Sequence, residues 1–134
     1  MSAAILADAD ALERQARALA DDIDMSAPWE DRMRNEDRIE EMREDAASIR
    51  ARVENSREHI RNYYGLNLDV GLDVKHEGRP GRIVGFAGQY VAVLHDGDEE
   101  PSICHATSEM EYPAGTQVGP GPDERFAHLV QVKD

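Results

Sequence analysis

The sequence predicts an α+β protein in which a two-helix antiparallel coiled-coil hairpin precedes a small five-stranded β-barrel and an extended C-terminal arm. Apolar residues recur at helical spacing over residues 1–65, and short alternating segments follow over residues 66–112. A Pro/Gly-rich linker opens the last part, residues 113–134. Nine of the ten glycines lie after residue 65, so the helical half and the strand half separate there.

A seam of apolar and small residues predicts the first helix. Its members follow steps of four and three, the spacing of a coiled-coil seam, and are Ile5, Ala9, Leu12, Ala16, Leu19 and Ile23. Ser2 is a suitable N-cap, and the pattern breaks over residues 24–28. Ser26 can cap a second helix with Pro28 in its first turn, where the missing N–H carries no penalty.

The second helix is predicted to run to about Tyr64, with Gly65 as its left-handed stop. Trp29 and Met33 lie one place out of phase with its seam. The seam repeats the three-four spacing and consists of Ile39, Met42, Ala46, Ile49, Val53, Ser56, Ile60 and Tyr63. The two helices are therefore expected to pack through matching seams.

An antiparallel pairing with its turn at residues 24–28 places Ile23 opposite Trp29, Leu19 opposite Met33 and Ile5 opposite Ala47. The first helix then ends before four large residues of the second seam, Ile49, Val53, Ile60 and Tyr63. Because burial of each large aliphatic side chain contributes roughly 1.5–3 kcal/mol, these residues should pack on the β half or on another copy of the chain. We favour the second copy and expect the four to be protein-interaction residues.

Residues 66–112 predict about five strands, because short alternating runs are separated by turn residues. The runs cover residues 66–74, 82–86, 89–95, 102–107 and 110–112. Glycines at 78, 81, 85 and 88 supply the bends of a small barrel. Asp96 and Gly97 predict a two-residue hairpin, since a type I′ turn needs positive φ at both central positions.

The C-terminal arm carries a strand-like apolar segment after the linker of residues 113–122. Its apolar side chains are Phe126, Leu129, Val130 and Val132. Such a segment either closes its own barrel or adds to the sheet of a neighbouring protein, and both possibilities stay open. We expect these four residues to take part in protein interaction as well.

The charge balance argues against a nucleic-acid-binding protein. Asp and Glu outnumber Lys and Arg by 28 to 15, for a net charge of −13, whereas a nucleic-acid binder places cations against phosphate. No apolar stretch reaches the roughly 18 residues of a membrane span. The single cysteine, Cys104, fits a reducing compartment. Arginines interleaved with the acids favour an ordinary solvated surface over a mimic of DNA.

No motif predicts an enzyme, a cofactor or a metal site. His95, Cys104 and His105 are metal-ligand types on neighbouring predicted strands, but a zinc site needs four ligands at tight spacings. We expect a half-buried cysteine beside two surface histidines. Residues 96–100 lack the ligand order of a calcium loop, and no GxSxG elbow is present.

The barrel segment resembles known small barrels. Val74, the stretch GRPGRIVG at residues 78–85 and the strand at residues 90–93 resemble the Src-homology-3-like barrels, including the KOW and Tudor types. With its ending HATSEMEY at residues 105–112, the segment also looks like small head-associated proteins of tailed bacteriophages.

The phage resemblance implies a non-enzymatic virion protein, such as a decoration or minor capsid protein, that is assembled in the cytoplasm of the bacterial host. Its partners would be other copies of itself, held through the helices, and the major capsid protein, held through the barrel or the arm. The alternative hypothesis is an acidic adaptor or inhibitor that binds a basic host protein, with affinity that falls as salt screens the charges.

Overall fold

The computed structural model describes residues 3–119, in which two packed helices, α1 (Leu6–Asp21) and α2 (Trp29–Tyr64), precede most of the sheet. The strands are β1 (Ala4–Ile5), β2 (Asp73–His76), β3 (Arg79–Ala87), β4 (Tyr90–His95), β5 (Ser102–His105) and β6 (Met110–Glu111). Strands β2 to β6 form a curled antiparallel half-barrel in the order β5-β4-β3-β2-β6. The predicted α+β fold, a helical pair followed by five short strands, is confirmed.

The predicted seam of α2 is buried along most of its length. Its buried members keep the three-four spacing and include Ile39, Ala46, Val53, Ser56 and Ile60. The helix ends at Gly65, whose φ of 70° is left-handed and whose N–H donates to the carbonyl of Arg61, as the sequence predicts. At this end the seam continues through Tyr64, which is buried, and leaves Tyr63 exposed.

The predicted pairing of the helices is wrong by about two turns. It placed Arg50 beyond the first residue of α1, whereas Arg50 Nη2 lies 2.5 Å from Asp10 Oδ1 and its Nε lies 3.0 Å from Glu13 Oε1. Ile23, expected opposite Trp29, lines one groove with Ile39 instead. The connection causes the difference, because the chain after Ile23 runs back along the first turns of α2 before that helix begins.

The displaced pairing brings the start of the chain onto the sheet. Ala4 and Ile5, expected in the first helix, form β1 and pair antiparallel with Phe86 and Gly85 of β3. Gly85 makes this approach possible, because a β-carbon there would overlap the carbonyl of Ala4. The ladder between β3 and β4 also shifts register between Ile83 and Gly85, which bends β3 at the same place.

The predicted caps of α2 also differ from the structure. Ser26 does not cap the helix; its hydroxyl donates to Asp24 Oδ1 at 2.6 Å. Pro28 is the N-cap residue rather than a first-turn residue, and its carbonyl accepts the N–H of Asp31 at 3.0 Å. Acidic side chains in the first turn suit the positive end of the helix dipole. Ser2 lies outside the described residues.

The tight two-residue turn lies earlier than the sequence indicates. Pairing between β4 and β5 stops at Val93 with Ser102, so Asp96 and Gly97 belong to a longer connection. The turn with positive φ at both central residues is instead the one between β2 and β3, at Glu77 (52°) and Gly78 (80°). The predicted strand at residues 66–70 is reduced to one bridge, between Leu66 and Gln117.

The sheet and the C-terminal half of α2 share one hydrophobic core. Its largest fully buried side chains include Phe86, Ile60 and Ile83, from β3 and the helix. Tyr112 packs against this core, and its hydroxyl donates to the carbonyl of Ala106. Burial raises the pKa of the Tyr112 phenol well above its ordinary value of 10.0. The folded chain therefore favours the neutral phenol.

Replacing Gly85 with Ala should lower the free energy of unfolding by about 1–3 kcal/mol, because the added methyl displaces β1 from β3. Urea denaturation measures this loss. The same substitution in a chain that starts at Leu6 should change stability much less, since Ala4 is then absent. Pro80→Ala, an exposed change on the same strand, is the control and should stay within about 0.5 kcal/mol. Equal losses in both backgrounds would contradict the role of β1.

Stability should fall as pH rises above about 10, because the unfolded chain then loses the Tyr112 proton while the folded chain keeps it. Urea denaturation at pH 8 and pH 11 tests this. Tyr112→Phe should reduce the alkaline loss and should lower stability at pH 8 by about 1–2 kcal/mol, since the Ala106 carbonyl loses its donor. Tyr63→Phe, at an exposed side chain, should leave the alkaline loss unchanged. An identical pH dependence in Tyr112→Phe would contradict the assignment.

Candidate protein-interaction site

The structure places most of the predicted helical interaction residues in the core of the chain itself. Val53 and Ile60 are 5% and 0% exposed and pack with the sheet, and Ile49 is half-buried against the same cluster. Of the two coverings that the sequence allows, the β half therefore covers these three, and no second copy can reach Val53 or Ile60. Tyr63 alone of the four is exposed, at 41%. The four residues of the arm, Phe126, Leu129, Val130 and Val132, lie outside the described residues.

A different apolar surface is exposed at the far end of the helices. Its side chains are Met25, Trp29 and Met33, which are 72%, 61% and 48% exposed. We call this surface the helical tip. Trp29 and Met33 lie one turn apart on α2, and Met25 lies in the connection before it. Because α1 ends beside the middle of α2, no part of α1 covers them.

A groove continues from the helical tip along the same side of α2. Steps of four and three lead from Trp29 and Met33 to Glu36, Glu40 and Arg43, so these side chains form one stripe. The last three line a groove of about 580 Å³ between the end of α1 and α2, whose apolar lining is Ala20, Ile23, Ile39 and Ala47. The tip and the groove together form one elongated surface.

Acidic residues surround the helical tip. They lie at the end of α1, in the connection and in the first turn of α2, and are Asp21, Asp22, Asp24, Glu30 and Asp31. The hydroxyl and the backbone N–H of Ser26 both donate to Asp24, which lowers the pKa of that carboxyl. The nearby Arg34 is paired with Asp31 at 3.7 Å. Two tips placed together would repel, whereas an apolar pocket bordered by Lys and Arg would complement the tip.

The sequence missed this site because it paired Trp29 and Met33 with residues of α1. Their position one place out of phase with the α2 seam was the available signal. A residue outside the seam faces away from the helix partner, and at the end of a helical hairpin that direction is solvent.

The candidate metal-ligand residues lie in separate environments. Within residues 3–119, no group of three or more His, Cys, Asp and Glu side chains is placed to hold a metal ion. Cys104 is buried, and its thiol donates to the carbonyl of Ser102 at 3.6 Å. His105 is half-buried beside Tyr64, and His95 is fully buried, so neither is the surface histidine that the sequence predicts.

His95 is a buried polar side chain without a hydrogen-bond partner on either ring nitrogen. Its Nδ1 lies 3.8 Å from Asp98 Oδ2, which is beyond hydrogen-bond distance. The ring of His76 lies nearby, with centroids 5.4 Å apart. Unpaired buried polar atoms destabilise a fold, so this position is energetically unfavourable for histidine.

The fold defines an α+β protein in which a helical pair projects from a curled antiparallel sheet, with an apolar tip as its most exposed large surface. Comparison of the chain with protein-family models, with curated proteins and with solved structures found no match. Neither helix of the described part is long and apolar enough to cross a membrane.

Replacing His95 with Leu should raise the free energy of unfolding by about 1–2 kcal/mol, since it removes two unpaired polar atoms from the core. Thermal and urea denaturation measure the gain. His59→Leu, at an exposed position of α2, is the matched control and should change stability by less than about 0.5 kcal/mol. A destabilised His95→Leu variant would contradict the unpaired state of this ring.

Proposed function

We propose that this chain is a non-enzymatic assembly protein that docks on a partner protein through its helical tip. The exposure of Trp29 between Met25 and Met33 carries the proposal. Tryptophan is enriched among the residues that dominate binding energy at protein interfaces, and clustered exposed apolar side chains mark interaction surfaces. The acidic surround of the tip favours a partner whose apolar pocket is bordered by basic residues.

The setting that we propose is the head of a tailed bacteriophage. The resemblance of residues 70–112 to small head-associated proteins supports this setting, and the shape of the molecule is consistent with it. The 36 residues of α2 span about 54 Å, so the half-barrel and the tip can contact sites far apart on a repeating shell. The partner is then the major capsid protein, the place of assembly is the host cytoplasm, and the protein resides in the virion.

The double substitution Trp29→Asp with Met33→Asp should weaken binding to phage heads assembled without this protein by about 30-fold or more. The expected loss follows from replacing the apolar centre of the contact with charges. Sedimentation of the heads with the added protein measures binding at low salt and at about 0.5 M salt, where exposed charge pairs are screened. Circular dichroism and thermal melting establish that the variant folds.

Val118→Asp is the matched control, because it makes the same kind of change at an exposed apolar residue beside the other end of α2. It should bind like the unaltered protein. Undiminished binding of the double variant would refute docking through the tip. Failure of the unaltered protein to bind heads would refute the phage setting. Binding that disappears in high salt and ignores the tip substitutions would favour the acidic adaptor instead.

A further inference from the structure

The half-barrel has an open edge at β5, beside the end of α2 that is remote from the helical tip. Among the described residues, β5 pairs with β4 and with no strand on its other side. The unpaired N–H and C=O groups of such an edge form a template for a further strand. Ile103, in the middle of β5, is exposed, which leaves an apolar side chain beside this edge.

A cluster of aromatic rings adjoins the His105 end of β5. The His105 ring meets the rings of Tyr64 and Tyr90 edge-on, with centroids 5.7 Å and 5.9 Å away, and Tyr63 lies against Tyr64 at 4.9 Å. The backbone N–H of Thr107 donates to His105 Nδ1 at 3.1 Å, so in the neutral ring Nε2 carries the hydrogen, 3.4 Å from the Tyr64 hydroxyl oxygen. The end of β5 is thus held against α2.

The last described residues are fixed beside this cluster. The N–H groups of Val118 and Gly119 donate to the carbonyl of Gly65, at 2.7 Å and 3.2 Å. Gly65 directly follows Tyr64, whose ring contacts His105. The chain after Gly119 therefore starts near the His105 end of β5, and a segment that continues along the strand toward Ser102 runs antiparallel to it.

We propose that residues 126–132, which lie outside the described residues, pair antiparallel with the open edge of β5 in the same chain. The six residues before Phe126 can span about 20 Å, enough to bring the segment to the edge. In a strand, Phe126, Val130 and Val132 share one face and Leu129 lies on the other. This pairing satisfies the edge groups of β5 and covers the side of the core at Cys104.

Nuclear Overhauser contacts in the full chain test the pairing directly. We expect contacts between the backbone protons of residues 102–105 and those of residues 126–132, in antiparallel order. Amide hydrogen exchange is the second measurement. The alternate β5 amides that point away from β4 should exchange about tenfold or more slower in the unaltered chain than in Val130→Asp with Val132→Asp.

Gln131→Asp is the matched control, because in a strand its side chain lies on the opposite face from Val130 and Val132. It should leave the exchange of β5 unchanged, and the amides shared by β3 and β4 should stay protected in every variant that folds. Equal β5 exchange in the unaltered chain and in the double variant would overturn the proposal. Contacts seen only between labelled and unlabelled chains in a mixed sample would also overturn it, since they assign the segment to a second copy.

Discussion

Where α1 lies along α2 decides most of what the molecule presents to its surroundings. Small residues such as Ala9, Ala16 and Ala46 are fully buried on the helices and let the two backbones approach closely. A seam of this kind is nearly periodic, so pairings that differ by about seven residues bury similar side chains. Arg50, between Asp10 and Glu13, distinguishes among them. Its side chain is partly exposed, and a contribution of up to about 1 kcal/mol is enough to select between nearly equal alternatives.

The observed pairing has opposite effects at the two ends of the helical pair. At one end it brings Ala4 and Ile5 to β3, where Gly85 leaves space for them, so the start of the chain becomes part of the sheet. At the other end it leaves Trp29 and Met33 beyond the reach of α1. The sheet meanwhile covers Val53 and Ile60 on the same helix. A single helix therefore packs against α1 in its middle and against the sheet near its end.

Local patterns in the sequence predicted the elements well and their mutual placement poorly. The seam through Ile39, Ala46, Val53 and Ile60 and the stop at Gly65 depend on neighbours along one helix, so periodicity reveals them. The same periodicity shows that a face is buried but not what buries it, and this is why Val53 and Ile60 were expected at an interface. β1 and the helical tip depend on the pairing between helices, which no local pattern encodes. The choice of Glu77 and Gly78 for the tight turn follows from strand pairing across the sheet.

The unequal support of α2 along its length gives the helix a gradient of local stability. Around Ile60 its backbone is locked between α1 and the sheet and can open only with the whole core, whereas the turns near Trp29 are held by their own hydrogen bonds and by the short connection. Short helical segments without packing are marginal in water, so these turns unwind and re-form while the rest of the molecule stays intact. A surface on such turns adjusts its shape to what it meets, and loses conformational entropy when it is held still.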